Sequence, residues 1–395
     1  MQIVTTNTVT HGSVRLSDEQ ILLRDAVRIL ADEQVAPRAA AIDREAAWPD
    51  DMRRLLGEHD VFAIPFAEQH GGLGADLLTL CLAIEELSRR CATTGLILAV
   101  QALGAIPIQV AGTPEQQDRW LPGLASGEKL IAFGLTEAEA GSDPGGIRTR
   151  AVLDGDQYVI DGAKRFISHG SVADYVVVFA ATNPEAEKAS RRLSAFLVET
   201  DRPGFKVTRL EHKMGIRGSP TAELAFDGVR VPVANRLGDE GQGFAIAMKT
   251  FERSRPGIAA QAVGIAQGAL EAAAGYATLR RQFGKAIGDQ QMVQALLADM
   301  DAATEAARHL LYTACEEIDA GNPDAARWAS IAKLVAGDTA MRVTTDAVQV
   351  FGGYGYIDEY PVERMMRDAK ITQLYEGTQQ IQRLIVARSL LAKSG

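Results

Sequence analysis

The residue types best suited to chemistry gather near the C-terminus, in Gln373-Leu-Tyr-Glu-Gly-Thr-Gln-Gln-Ile-Gln-Arg-Leu-Ile-Val-Ala-Arg388. From Thr378 onward Ile381, Leu384 and Ile385 recur at helical spacing, and Thr378 can cap the first turn behind a Gly377 hinge. The spacing therefore predicts Glu376 in a short loop just ahead of a helix. A carboxylate between an aromatic and a glycine, with fixed orientation and little steric cover, suits a general base that abstracts a proton. A solvated loop glutamate fits the same local features, and the stretch alone leaves both readings open.

Other chemistries find less support. Cys81, Cys91 and Cys315 are odd in number and have no CxxC spacing, which argues against a disulfide framework and a thiolate metal site. The six histidines show no HxH or HxxxH pattern, so no metal is expected. No GxGxxG follows a strand and no GxxxxGK[ST] occurs. Gly352-Gly-Tyr-Gly355 lies between helical segments and by motif is only a turn. A net charge of −10 disfavours non-specific nucleic-acid binding, so a phosphate-rich ligand must be met by individually placed Arg, Lys, hydroxyl or backbone donors. No run of about 18 uncharged apolar residues is read, and Met1-Gln-Ile-Val-Thr-Thr-Asn-Thr8 lacks a signal pattern. A cytoplasmic protein without a membrane partner is expected.

At 395 residues the chain exceeds one small core, and two or three units are expected. Residues 1–129 read as an N-terminal helical domain. Ser17-Asp-Glu-Gln20 is a capping box ahead of Ile21, Val27, Leu30 and Val35, and Pro37 limits that helix. Gly71-Gly-Leu-Gly74 turns into a buried helix over 76–87, and Thr113-Pro-Glu-Gln116 caps another. Residues 130–238 change character. Tyr158-Val-Ile160, Tyr175 to Ala180, Leu193 to Val198 and Ala222 to Phe226 are short, β-rich and punctuated by turns, which predicts a central antiparallel sheet or small barrel. Over 239–395 the helical period returns, with small residues on its faces, as a C-terminal bundle of about four long helices. The fold class is α+β, mainly α.

One stretch then carries a family resemblance. Phe133-Gly-Leu-Thr-Glu-Ala-Glu-Ala-Gly-Ser-Asp143 closely resembles the flavin-cradling signature of the acyl-CoA dehydrogenase family. The match continues through Lys164-Arg-Phe-Ile-Ser168, Phe251-Glu-Arg-Ser-Arg-Pro256, Arg280-Arg-Gln-Phe-Gly284, Asp346-Ala-Val-Gln-Val-Phe-Gly-Gly353 and the stretch around Glu376. The blocks stand in family order over nearly the whole chain. The resemblance implies the same three-part architecture, FAD between the parts, and a homotetramer in which a neighbouring subunit completes each flavin site.

The resemblance also assigns residues. Phe133, Leu135, Thr136, Gly141 and Ser142 belong to the flavin-cradling block, with Leu135 and Thr136 at the polar edge of the ring and Ser142 near phosphates and substrate. Phe166, Ile167 and Ser168 lie beside the ring; the family more often has Trp at the first position, and Phe keeps apolar cover while losing the indole donor. His169 stands where many relatives carry Asn and is expected to be a local hydrogen-bonding substitution. Arg280, Gln282 and Phe283, with Arg281 as the neighbouring candidate, match the block that reaches the diphosphate and adenosine end from an adjacent subunit. Gln349, Gly352 and Gly353 match the adenosine-end turn, and Thr378 and Gln380 complete the cofactor set. Glu252, Arg255, Tyr375, Gly377 and Arg388 fall in the substrate-contacting blocks. Some relatives carry the base at the position of Ser254, which here cannot serve, so Glu376 is the expected base.

The implied reaction is dehydrogenation of a short- or medium-chain, straight or branched, acyl-CoA to the trans-2-enoyl-CoA. Glu376 takes the α-proton, flavin N5 takes the β-hydride, and the Glu376 backbone N–H and a ribityl hydroxyl polarise the thioester carbonyl. An electron-transferring flavoprotein is the expected acceptor. An acyl group on a carrier protein, an oxidase reaction and a non-catalytic flavin-binding regulatory role remain alternatives.

Overall fold

Side-chain caps open several of the N-terminal helices. The structure, a computed structural model, describes residues 16–392. Helix α1 (Asp18–Leu30) starts on a complete capping box: Ser17 Oγ accepts from Gln20 N–H at 3.1 Å, and Gln20 Oε1 accepts from Ser17 N–H at 2.9 Å. Pro37 does not end the helical path. The chain loosens into a π turn (Ala31–Val35), tightens into a 3-10 turn (Ala36–Arg38) that holds the proline, and continues as α2 (Ala39–Glu45). Then come α3 (Asp50–Glu58), α4 (Leu77–Arg90), α5 (Ala92–Ala111) and α6 (Pro114–Ala125), the last opened by the Thr113–Gln116 capping box.

Helix α5 corrects one expectation. Its 20 residues contain no Asp, Glu, Lys or Arg, and an 18-residue window of them has a mean hydropathy of 1.7, long and apolar enough to cross a membrane by length and composition. They are instead covered by α4 and by the strand that follows α6, so α5 is a core helix apolar on all sides.

The strands are β1 (Ile131–Gly134), β2 (Arg150–Asp154), β3 (Gln157–Ser168), β4 (Tyr175–Ala181), β5 (Leu193–Glu199), β6 (Phe205–Leu210), β7 (Thr221–Pro232) and β8 (Arg236–Leu237). They form one sheet ordered β6-β7-β3-β2-β4-β5-β8, antiparallel except that β1 runs parallel to β4 and β2 touches β4 in parallel at Arg150 and Ala181. Opposite faces of the sheet feed two cores, one closed by α5 and α6 through Ile108, Trp120, Leu121 and Leu124, the other formed around Tyr158, Phe196 and Phe226.

The C-terminal part is built on α7 (Gly243–Leu279), followed by a hairpin of β9 (Arg281–Gln282) and β10 (Lys285–Ala286), then α8 (Gln291–Asp319), α9 (Ala325–Phe351), α10 (Pro361–Ala369) and α11 (Gln379–Ala392). Three helices are long, and α10 and α11 are short. Small residues bring backbones together: a Cβ on Gly264 would stand 2.3 Å from the Glu85 carbonyl oxygen, and one on Gly268 2.1 Å from that of Arg89. Helices α4 and α7 thus share one core with α8 and α9. Charge is buried at this seam, where Arg308 donates to Glu85 at 2.8 Å and the Tyr312 hydroxyl to the same carboxylate at 3.1 Å.

The loop between β6 and β7 docks on α10. Ile216, at φ 44°, donates its N–H to Asp368 Oδ1 at 2.5 Å. Burial pushes the Asp368 carboxyl up to about 6, against the pull of that N–H and of Arg364. The folded chain therefore keeps a proton that the unfolded chain releases near pH 4, and the buried acid costs stability progressively as pH rises from about 4 to about 6. Asp368→Asn should gain about 2 kcal/mol on the wild type between pH 4 and pH 7 in chemical denaturation. A wild-type–variant difference that stays constant over that range would refute this account.

Candidate active site

Glu376 sits between α10 and α11, in the short loop the sequence predicts, and Thr378 Oγ1 accepts the Ile381 N–H at 3.4 Å as the cap of α11. The loop is far from a free solvated turn. Glu376 adopts φ 51° and Gly377 φ 93°, two successive left-handed residues, the first carrying a side chain that disfavours that conformation. The expectation of little steric cover is thereby corrected. The carboxyl keeps a partial opening to solvent, while Ser254 Oγ of α7 donates to its Oε2 at 2.6 Å. Burial pushes the Glu376 pKa up, and the Ser254 hydroxyl, Arg255 and Lys333 oppose the shift.

The turn is gripped from three helices. Arg255 Nε of α7 donates to the Glu376 carbonyl at 3.3 Å. Gln382 Nε2 of α11 donates to the same oxygen at 3.1 Å and to the Gly377 carbonyl at 2.9 Å. Lys333 Nζ of α9 donates to the Gly377 carbonyl at 2.8 Å and to Gln379 Oε1 at 3.2 Å. The Tyr375 hydroxyl donates to Gln261 Oε1, and Gln261 Nε2 reaches the Ala92 carbonyl at 2.9 Å, which ties the base of the loop to the start of α5. Residue reading missed Lys333, Gln261 and Gln382. Lys333 left a signal, since it falls on the stripe Ala329, Ala332, Ala336 and Ala340 that α9 buries, and a charge on such a stripe demands a partner.

The Phe133–Asp143 block connects to this turn through α7. The Phe133 ring lies 5.6 Å from that of Phe251, and the Arg255 guanidinium lies 5.4 Å from the Phe251 ring, which links β1 to the Glu376 turn through α7. The loop after β1 is fixed by a buried ion pair: Lys164 Nζ, wholly buried, donates to the Leu135 carbonyl at 3.0 Å and to Glu137 Oε1 at 2.7 Å. Glu137 in turn accepts the N–H groups of Arg148 and Thr149. Thr136 is half-buried, with its carbonyl taken by the Arg165 N–H at 2.8 Å, and Gly141 and Ser142 are exposed. Phe166 occupies an irregularity in the β3–β7 register at φ 59° and is 58% exposed, whereas Ile167 is buried beneath it and Ser168 pairs with Thr221. His169 departs from expectation: its buried ring nitrogens have no partner among the described residues, its ring packs edge-on 4.9 Å from Trp48, and burial lowers its pKa to about 3. It is a neutral packing residue.

The third group of candidates stands apart. Arg280, Gln282, Gly352 and Gly353 line a cleft of about 490 Å³ with Tyr276, Phe351 and Tyr354, and the Arg280 guanidinium lies 5.2 Å from the Tyr354 ring. Gln349 is exposed outside the cleft wall and closes its turn by accepting the Gly352 N–H; Phe283 is 95% exposed at the hairpin tip, at φ 52°. Arg280 ends the helix that carries Ser254, and 26 residues at 1.5 Å each separate the two by about 39 Å. Of the remaining candidates, Glu252 is half-buried beside Arg255, while Gln380 and Arg388 are exposed on α11. Among the described residues no group of His, Cys, Asp or Glu could hold a metal ion, and the three cysteines are free and buried.

Comparison with known proteins follows the same three-part division. Family models of the acyl-CoA dehydrogenase N-terminal, middle and C-terminal domains match residues 17–128, 132–229 and 241–391. The chain is 49% identical over 376 residues to the short-chain specific acyl-CoA dehydrogenase of Clostridium acetobutylicum, covering 94% of this chain and 98% of that one. The structure of butyryl-CoA dehydrogenase from Megasphaera elsdenii superposes with a TM-score of 0.92 at 42% identity, covering 96% of this chain and all of the other. A chain solved in work on the electron transferring flavoprotein of Acidaminococcus fermentans gives 0.94 at 45% identity, covering 96% and 99%.

The Ser254 hydroxyl stabilises the ionised form of Glu376, so its removal should raise the Glu376 pKa further. In Ser254→Ala the carboxylate infrared band of labelled glutamate should appear about one pH unit later than in the wild type. A coincident titration would show the contact to be electrostatically idle.

Proposed function

The chain belongs to the acyl-CoA dehydrogenase family, and on that premise we propose that it desaturates a short- or medium-chain, straight or branched, acyl-CoA between its α and β carbons, with Glu376 as the base. The enzyme is an FAD-dependent oxidoreductase. The relatives just named include enzymes of short-chain and butyryl thioesters, which supports the substrate class.

The residues present fit the cofactor. Gly141 and Gly353 have ordinary φ, and a Cβ on either would meet nothing within 4 Å, so the backbone at both is open to the close approach of a ligand, which supports this reading. Phe166 exposes a large apolar ring beside the Leu135–Thr136 loop, which supports a ring-covering role. On this reading Leu135, Thr136, Phe166, Ile167, Ser168, Thr378 and Gln380 hold the flavin half. When bound, FAD supplies the acceptor for the hydride that leaves the β-carbon.

Arg280 cannot serve the same site from within one chain, because α7 holds it about 39 Å from Ser254. The reading assigns the Arg280–Gly353 cleft to the adenosine end of a cofactor held by another copy, in a homotetramer. Leu279, Phe283, Met292 and Tyr356 support it, being 81%, 95%, 78% and 86% exposed around that cleft, an apolar surface that a second copy would cover. The guanidinium grips a diphosphate through paired donors. The proposed units, 1–129, 130–238 and 239–395, meet around the flavin half-site, and the reduced enzyme passes electrons to an electron-transferring flavoprotein in the cytoplasm.

The observation that carries the base assignment is the Glu376 carboxyl on its left-handed turn, with burial raising its affinity for a proton and Ser254, Arg255 and Lys333 keeping the charged form accessible. Glu376 withdraws the α-proton, Ser254 steadies the carboxylate before transfer, and Tyr375 walls the pocket. Glu376→Gln should keep FAD and bind thioester while slowing anaerobic flavin bleaching by about 10⁴-fold or more, measured over a panel of straight, branched and carrier-bound thioesters. Full turnover would sink the assignment. Arg280→Ala should lose FAD on dialysis, and wild-type cofactor occupancy would count against its phosphate role.

A further inference from the structure

Lys333 is completely buried, and among the described residues it forms no ion pair. Its ammonium contacts a backbone carbonyl and a side-chain amide oxygen, both within the segment that carries Glu376. A lysine kept for stability alone would be poorly placed, since neutral oxygens repay little of the cost of burying a cation.

We propose that Lys333 is a positioning residue for the Glu376 base: its ammonium fixes the Gly377 carbonyl from behind the left-handed turn, and its positive charge favours the carboxylate form that accepts the α-proton. The inference rests on the reading of Glu376 as base. It explains how a non-glycine residue is held at φ 51° beside Gly377 at φ 93°, because the carbonyls of both are tied to buried donors on α7, α9 and α11. Packing enforces the contact: a Cβ on Gly337, one helical turn beyond Lys333, would lie 3.1 Å from both Gln379 Nε2 and the Thr372 carbonyl, so α9 lies directly against the chain leading into and out of the turn.

The charged groups facing Lys333 come from each neighbouring element. Glu376 approaches from the turn, Arg255 from α7, and Asp338 from α9 itself, where it is shared by Gln373 ahead of the turn and by Gln379 and Arg383 of α11. Burial and Arg255 favour the neutral amine, Glu376 and Asp338 favour the ammonium, and the balance leaves Lys333 at about 7. The cation behind the base is therefore present below about pH 7 and is lost as pH rises through that value.

The test is anaerobic flavin reduction by a CoA thioester from pH 5.5 to 9, with the FAD-loaded wild type, Lys333→Met, Lys333→Arg and Glu376→Gln. Lys333→Met should retain FAD, change KM less than about twofold, slow kcat about 10-fold or more and move the acid limb of the profile up by about one pH unit. Lys333→Arg, whose charge does not titrate in this range, should restore the acid limb and abolish the limb near pH 7 on the basic side. An FAD-loaded Lys333→Met with the wild-type acid limb overturns the proposal. If that variant does not fold, Lys333→Arg decides, and a basic limb identical to the wild type overturns it. An active Glu376→Gln removes the base reading itself, whereas an inactive one beside an unchanged Lys333→Met profile removes only the role of Lys333.

Discussion

Two consecutive left-handed residues, Glu376 and Gly377, are the constraint on which the site depends. Left alone, such a turn around a charged side chain relaxes, because the β-carbon of Glu376 crowds its own backbone. It persists because Arg255, Gln382 and Lys333 each place a buried donor on its carbonyls while Ser254 takes the carboxylate. The same enclosure that removes water also raises the proton affinity of the carboxyl, so conformation and chemistry share one cause.

That enclosure requires long helices to approach closely. Gly264 and Gly268 let α7 lie against α4, and Gly337 lets α9 lie against the segment that ends in the turn. With α7 fixed, Ser254 and Arg255 face the turn, and Phe251 reaches back to Phe133 on β1. The buried Lys164–Glu137 pair sets the loop that follows β1. Helix α7 carries Ser254 and Arg280 about 39 Å apart, so the two serve different places on the chain.

Much of this was legible in the residues. Helical periodicity, the two capping boxes and the Thr378 cap are legible because each depends on side chains within four positions of one another. The short strands β1, β2, β6 and β8 escaped periodicity because four to six residues with mixed burial carry too little pattern, and β8 has only two. Thr and Gln interrupt the apolar run of α5 in the sequence; inside the fold Gln101 satisfies its amide on the Leu124 and Lys129 carbonyls.

By itself the sequence determined the order of helices, strands and helices, and it placed Glu376 in a loop before a capped helix. It did not determine whether that carboxylate was solvated or enclosed. Ser254 lies 122 residues away in the chain and Lys333 lies 44 residues from Gly377, and no local pattern links them. Only the packing of α7, α9 and α11 brings them together, and a carboxyl's proton affinity follows from the water and charges around it rather than from its neighbours in sequence.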